Sequence, residues 1–184
     1  MRKYLCTFAF VILVGGLTGS SVFADESLLR FKGGIGVIPI SNVIVDTTTD
    51  PITVTAVNRN VVRGVNSPGQ IWVIKDLDAR VSTSGEIRVK GKGLILGGGN
   101  SVGRATGQSV FATLICEAGI PFTEHNTDTS GVPLAADGDF EIDDVLSEFP
   151  LNGNSCASPM LLIRTTNANP ANRNWFAAGI PRLD

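Results

Sequence analysis

Five acids, Asp137, Asp139, Glu141, Asp143 and Asp144, crowd eight residues around an Asp-Gly pair. Carboxylate oxygens at that density are what Ca2+ seeks, since the ion takes six to eight oxygen ligands. The spacing argues the other way. On an extended chain alternate side chains share a face, so Asp139, Glu141 and Asp143 point one way yet lie too far apart to converge on one ion. Asp128 or Glu148 would have to lean in from another loop, and the pattern is not the twelve-residue calcium loop. The stretch therefore reads as a solvated acidic face, with Asp137, Asp139, Asp143 and Asp144 the residues to inspect for a metal. A carboxylate pair for glycoside hydrolysis would have to come from the same set.

Gly99-Asn-Ser-Val-Gly103 matches G-x-S-x-G, the motif that sets a serine nucleophile on a sharp turn between strand and helix. The next residues, Arg104-Ala-Thr-Gly-Gln, do not read as a helix. The base would have to be His125, the single histidine, in an order foreign to that fold. A glycine-rich loop accounts for the match. His125 lies in Thr-Glu-His-Asn-Thr-Asp and reads as a solvated loop histidine, because one imidazole without free thiols does not make a zinc site. No phosphate loop or G-x-G-x-x-G occurs, so no cofactor is expected. Sugar recognition would want exposed aromatics. The one tyrosine is Tyr4, and Trp72 and Trp175 both lie inside apolar runs that read as core.

The elements that must position these residues are organised about two buried β-segments. Residues 109–116, Ser-Val-Phe-Ala-Thr-Leu-Ile-Cys, are apolar on both faces and rich in residues that suit a pleated surface. Residues 155–164 form the second run. Each carries one cysteine, and the only other is Cys6. Two cysteines far apart in an exported chain are expected to form a structural disulfide, Cys116–Cys156, rather than a reactive C-x-x-C pair. Closing a loop of about 40 residues stabilises by roughly 4 kcal/mol in the chain-entropy model.

Export is read from residues 1–24, which resemble a secretory signal peptide. Met-Arg-Lys precedes an apolar run from Leu5 to about Leu17, and Val22 and Ala24 supply small residues ahead of Asp25. The run falls short of the about 20 apolar residues of a spanning helix. The expected location is secreted, periplasmic or extracellular. Losing this segment removes Arg2 and Lys3 and no acid, moving the formal charge from −2 to −4. So mild an acidity offers no footprint for nucleic acid or an anionic membrane. Residues 25–184 suit a single domain.

Along that domain almost no window has helical period. Residues 52–57 alternate cleanly, and 71–81 read as one long strand with Ile71, Val73, Leu77, Ala79 and Val81 on one face. Ser82-Thr-Ser-Gly85 turns the chain into residues 86–96, where Ile87 and Val89 alternate with Arg88 and Lys90. Residues 97–108 read as a mobile glycine-rich crossover between strand sets 31–96 and 109–181. Residues 132–143 read as a hairpin, since Asp137-Gly138 suits the positive φ of a tight turn. Short strands, frequent turns and one bridge argue for an all-β antiparallel sandwich.

Phe111–Cys116, Asp137-Gly-Asp-Phe-Glu-Ile142 and Cys156–Arg164 resemble the strand, D-G-x-F hairpin and strand of immunoglobulin-like or transthyretin-like sandwiches. The whole chain is also similar to a group of uncharacterised exported bacterial all-β proteins. Arg63-Gly-Val, Gly69-Gln-Ile-Trp72, Ile87–Leu94 and Trp175–Pro181 carry that likeness. It implies a fold and a compartment, and no activity.

The function expected from these readings is that of an exported, non-enzymatic binding module, with an unknown protein or glycan at the cell envelope as partner. Recognition is expected in the loops 97–108 and 117–131. One alternative is a structural subunit, able to form homo-oligomers, that donates its apolar 33–57 region to a neighbouring sheet. The other is a hydrolase built on the acids near Asp137.

Overall fold

The computed structural model describes residues 27–149 and 156–182; the leader read at residues 1–24, and Ser155 of the second buried run, lie outside them. Strands form where the sequence alternates or runs apolar. Seven precede the glycine-rich loop: β1 (Ser27–Gly36), β2 (Ile40–Asp46), β3 (Thr53–Arg59), β4 (Trp72–Val73), β5 (Asp76–Ser82), β6 (Glu86–Lys92) and β7 (Ile95–Leu96). Six follow: β8 (Ser109–Ile115), β9 (His125–Asn126), β10 (Val132–Pro133), β11 (Phe140–Val145), β12 (Met160–Thr165) and β13 (Trp175–Pro181). The described residues contain no α-helix, only a 3-10 turn at Pro170–Asn172.

The all-β antiparallel architecture expected from the sequence is what the chain adopts. Nine strands share one sheet in the order β10-β8-β12-β13-β1-β5-β6-β11, with β9 and β10 both on the outer flank of β8. β5 and β6 alternate buried and exposed residues, so one face is wet, whereas β8 and β12 are buried on both faces. The sheet curls into a half-barrel around Leu77, Val81, Ile87, Leu114, Ile115 and Leu161. A second, thinner layer makes the fold sandwich-like. Trp72 of β4 lies flat on Phe176 at 4.1 Å, and the Trp175 indole donates to the Asn60 carbonyl at 3.1 Å. Both tryptophans are core, as their apolar surroundings implied.

Three local expectations need correction. First, Asp137-Gly138 does turn the chain, with Gly138 at φ +86° and its N–H donating to the Ala135 carbonyl at 2.9 Å. It does not close a hairpin, because β10 pairs with β8 and β11 with β6. The turn instead joins the two edges of the curled sheet. Charge favours this register: Asp143 sits opposite Arg88 and Glu141 opposite Lys90, each pair at 3.2 Å. Ser147 N–H to the Asn126 carbonyl (2.8 Å) and Asp128 N–H to Asp144 Oδ2 (2.7 Å) draw the seam together.

Second, residues 71–81 are two strands. The ladder breaks at Ile74-Lys75, β4 pairs with β7, and the side-chain parity flips. Trp72 is therefore buried while Ile71 and Val73 are exposed.

Third, the crossover 97–108 is tied down. Leu96 N–H donates to the Arg104 carbonyl (3.0 Å), Gly103 N–H donates to the Leu96 carbonyl (2.8 Å), and Ala105 is buried.

The disulfide Cys116–Cys156 is formed, with sulfurs 2.07 Å apart and the two cysteines separated by 40 positions in sequence. It is reinforced by Arg63, a residue that sequence patterning did not single out as structural. Held at φ +46°, Arg63 donates to the Ile115 carbonyl (2.9 Å), the Ser158 carbonyl and Ser158 Oγ (2.7 Å), gripping both chains that the bridge joins. Burial lowers its pKa from the usual arginine value, and the charge of Glu117 works against that shift.

Candidate functional site

The acidic stretch is dispersed over structural tasks. Asp143 and Glu141 pair with Arg88 and Lys90 on the solvent side of β6. Asp139 Oδ1 accepts from Gly93 N–H (2.9 Å), Asp137 Oδ1 from Asp139 N–H (3.2 Å), and Asp144 from the N–H groups of Asp128 and Val145. Among the described residues no three His, Cys, Asp or Glu side chains lie close enough to share a metal ion. Asp137, Asp139, Asp143 and Asp144 are thus not brought together. A gap of about 180 Å3 beside Asp128, Asp143 and Asp144 marks the seam between the sheet edges.

His125 is a correction. It is buried, not solvated: its Nδ1 lies 3.0 Å from the Ser147 carbonyl and its ring meets Phe149 edge-on at 5.7 Å. Residues 125–126 add to the flank of β8, and the chain after β11 folds over them. Ser101, the serine of the G-x-S-x-G match, sits in a tight turn whose carbonyl accepts from Arg104 N–H at 3.2 Å.

The cavity that does gather functional groups lies elsewhere. It holds about 310 Å3 between the end of β12, the chain around β9 and the 3-10 turn, and Arg164 forms its wall with Phe111, Glu124, Asn126, Asn66 and Arg173. Arg164 closes the apolar run of β12 and is only 5% exposed. Its Nη1 donates to Glu124 Oε2 (2.6 Å) and Thr113 Oγ1 (3.3 Å), and its Nε to the Arg173 carbonyl (2.9 Å). The guanidinium also stands 5.3 Å from the centre of the Phe111 ring, with Arg173 at 5.9 Å from the same ring.

This wall has donors to spare. Nη2 of Arg164 donates to no described residue, and Arg173 uses only Nε among the described residues, on the Asn167 carbonyl at 3.0 Å. Asn126 Oδ1 accepts from Thr113 Oγ1 (2.6 Å), which leaves its amide N–H groups as donors at the cavity. Two cations stand against one carboxylate. The cavity is therefore a donor-rich, net cationic recess with a rigid buried guanidinium at its back.

Of the two loops expected to carry recognition, 117–131 contributes Glu124 and Asn126, while 97–108 lies outside the cavity wall. Sequence reasoning missed Arg164 and Arg173. The available signal was an arginine directly after the four apolar residues Met160–Ile163 of one strand, a charge that burial requires to be paired. Comparison with protein-family models, curated proteins and solved structures finds no match to this chain.

Proposed function

We propose that this protein is an exported, non-enzymatic binding module that takes the carboxylate end of a ligand into the Arg164 cavity. One observation carries the reading: a guanidinium only 5% exposed, pinned by Glu124, Thr113 and the Arg173 carbonyl, keeps Nη2 unspent at a cavity wall. A cation already held in place loses little freedom on binding, and its unspent Nη2 offers a carboxylate a charge-assisted hydrogen bond. Arg173 and the Asn126 amide add donors on the same recess. A volume of about 310 Å3 is at the lower end for small-molecule sites, which suits the tip of a ligand at the cell envelope rather than its whole body. The Cys116–Cys156 bridge accords with an oxidising compartment.

The test is an NMR titration of the purified protein with benzoate, and with benzamide as the neutral isostere. Benzoate is expected to give saturable shifts at Arg164, Asn126 and Arg173, and benzamide none. Arg173→Gln is expected to weaken benzoate binding about tenfold, the loss of one charge-assisted hydrogen bond. Equal responses to benzoate and benzamide, or shifts spread over the surface without saturation, would overturn the reading.

A further inference from the structure

The hairpin of β2 and β3 stands apart from the half-barrel. Among the described residues the two strands pair only with each other, and every residue in them except Asp46 is exposed. The ribbon is anchored at its base, where Asn60 N–H donates to the Pro39 carbonyl (2.9 Å) and Ser67 Oγ to the same carbonyl (2.6 Å). This also changes the assembly idea drawn from the sequence. β1 is already paired on both sides, with β13 and β5, so the free element is the intact ribbon and not a donated strand.

Register decides what the ribbon presents. Val43 pairs with Val57, Ile44 with Ala56, and Val45 with Val54, with a shift between the last two pairs that leaves Thr55 as an extra residue on β3. Paired residues share a face, so that bulge brings Val54 and Val57, three positions apart, to the same side as Val43 and Val45. One face is thus four valines, each 41–59% exposed, while the opposite face carries Asn42, Asn58, Ile44 and Ala56. Charge is divided along the length. Asp46 and Asp50 lie at the tip and Arg59 at the base.

We infer that the valine face is covered by the same face of a second copy, with the two ribbons stacked antiparallel about a two-fold axis. That arrangement lays β2 of one copy over β2 of the other, with Val43 against Val45, and β3 over β3, with Val54 against Val57. It also brings the acidic tip of each ribbon to the Arg59 base of its partner, whereas a parallel stack would put the two acidic tips together. A two-stranded ribbon of seven-residue strands is about 24 Å long and about 10 Å wide, so one face presents roughly 250 Å2 in plan. That is well below the about 800 Å2 per partner of a standard interface, so the dimer is weak and concentration-dependent.

Sedimentation equilibrium of the purified protein tests this. The expected result is a monomer–dimer equilibrium that Val45→Lys or Val54→Lys weakens at least tenfold, with circular dichroism unchanged. Arg59→Glu is expected to weaken it as well, and the double variant Asp50→Lys/Arg59→Glu to restore it, since the swap returns opposite charges to the contact. A monomer at every concentration, or a dimer indifferent to the valine substitutions, overturns the inference. So does a charge swap that fails to rescue, or a ribbon that instead carries the protein onto phosphatidylcholine vesicles in a Val54-dependent way.

Discussion

The Arg164 guanidinium donates to Glu124 Oε2 across 2.6 Å, joining the buried end of β12 to the chain just ahead of β9. Arg164 is almost wholly buried, whereas the Glu124 side chain is 40% exposed. The pair is therefore asymmetric: losing the glutamate strands a buried cation, while losing the arginine leaves a carboxylate that water can reach.

Glu124→Gln is accordingly expected to destabilise the fold by about 1–3 kcal/mol, less than for a fully buried pair because water screens the glutamate. Urea denaturation followed by tryptophan fluorescence checks this. A change within error would mean that Nη1 finds another acceptor.

The Cys116–Cys156 bridge and the Arg63 clamp hold the same two chains. Replacing both cysteines by serine should cost about 2–4 kcal/mol. Arg63→Ala, which strips the Ile115 carbonyl and Ser158 of a partner, should cost about 1–3 kcal/mol. Neighbouring contributions of this kind are not independent, so the triple variant should depart from the sum of the two. Denaturant midpoints of the three proteins measure it.

At the seam the turn matters more than the acids. A Cβ on Gly138 would lie 2.5 Å from the Leu94 carbonyl oxygen, at a φ of +86°. Gly138→Ala should cost about 2 kcal/mol or more. Asp143→Asn, which removes one exposed ion pair with Arg88, should cost at most about 1 kcal/mol. Thermal melts of the two variants compare them directly.

Acid should loosen the protein in a defined direction. The Asp46 carboxyl is held below its usual pKa by the Thr48 hydroxyl and N–H, and Asp128 by Ser130. Burial pushes the Glu117 carboxyl up, but hydrogen bonds from Thr123 and the neighbouring backbone outweigh it and leave the pKa lowered. Folded values below unfolded ones mean that this stabilisation is complete above the ordinary carboxylate range. It is lost as pH falls from about 4 through the folded values. Carboxyl NMR titration should place all three midpoints below those of the urea-unfolded chain, and Thr48→Ala should raise that of Asp46.

Much of the local structure is written in neighbouring residues. Period-two alternation marks β5, β6 and β11, continuous apolar runs mark β8 and β12, and the one cysteine in each of the two buried runs marks the bridge that Cys116 and Cys156 form. These are properties of a few adjacent side chains and need no knowledge of what packs on them. Asp137-Gly138 was legible as a turn for the same reason. Its role in joining the edges of a curled sheet was not, because the choice of partner strand rests on β8 and β6, whose paired residues lie roughly 20 to 60 positions upstream.

Tertiary structure alone decided the rest. His125 becomes buried only when the chain after β11 returns over it, and Arg164 becomes a cavity wall only when Glu124, Thr113 and Arg173 meet around it. The valines of β2 and β3 belong to a stretch that the sequence shows only as apolar, yet a one-residue bulge and the absence of a covering strand among the described residues turn them outward as a single face. Burial and the satisfaction of buried charge are sums over distant segments, so they exist only once the sheet has curled.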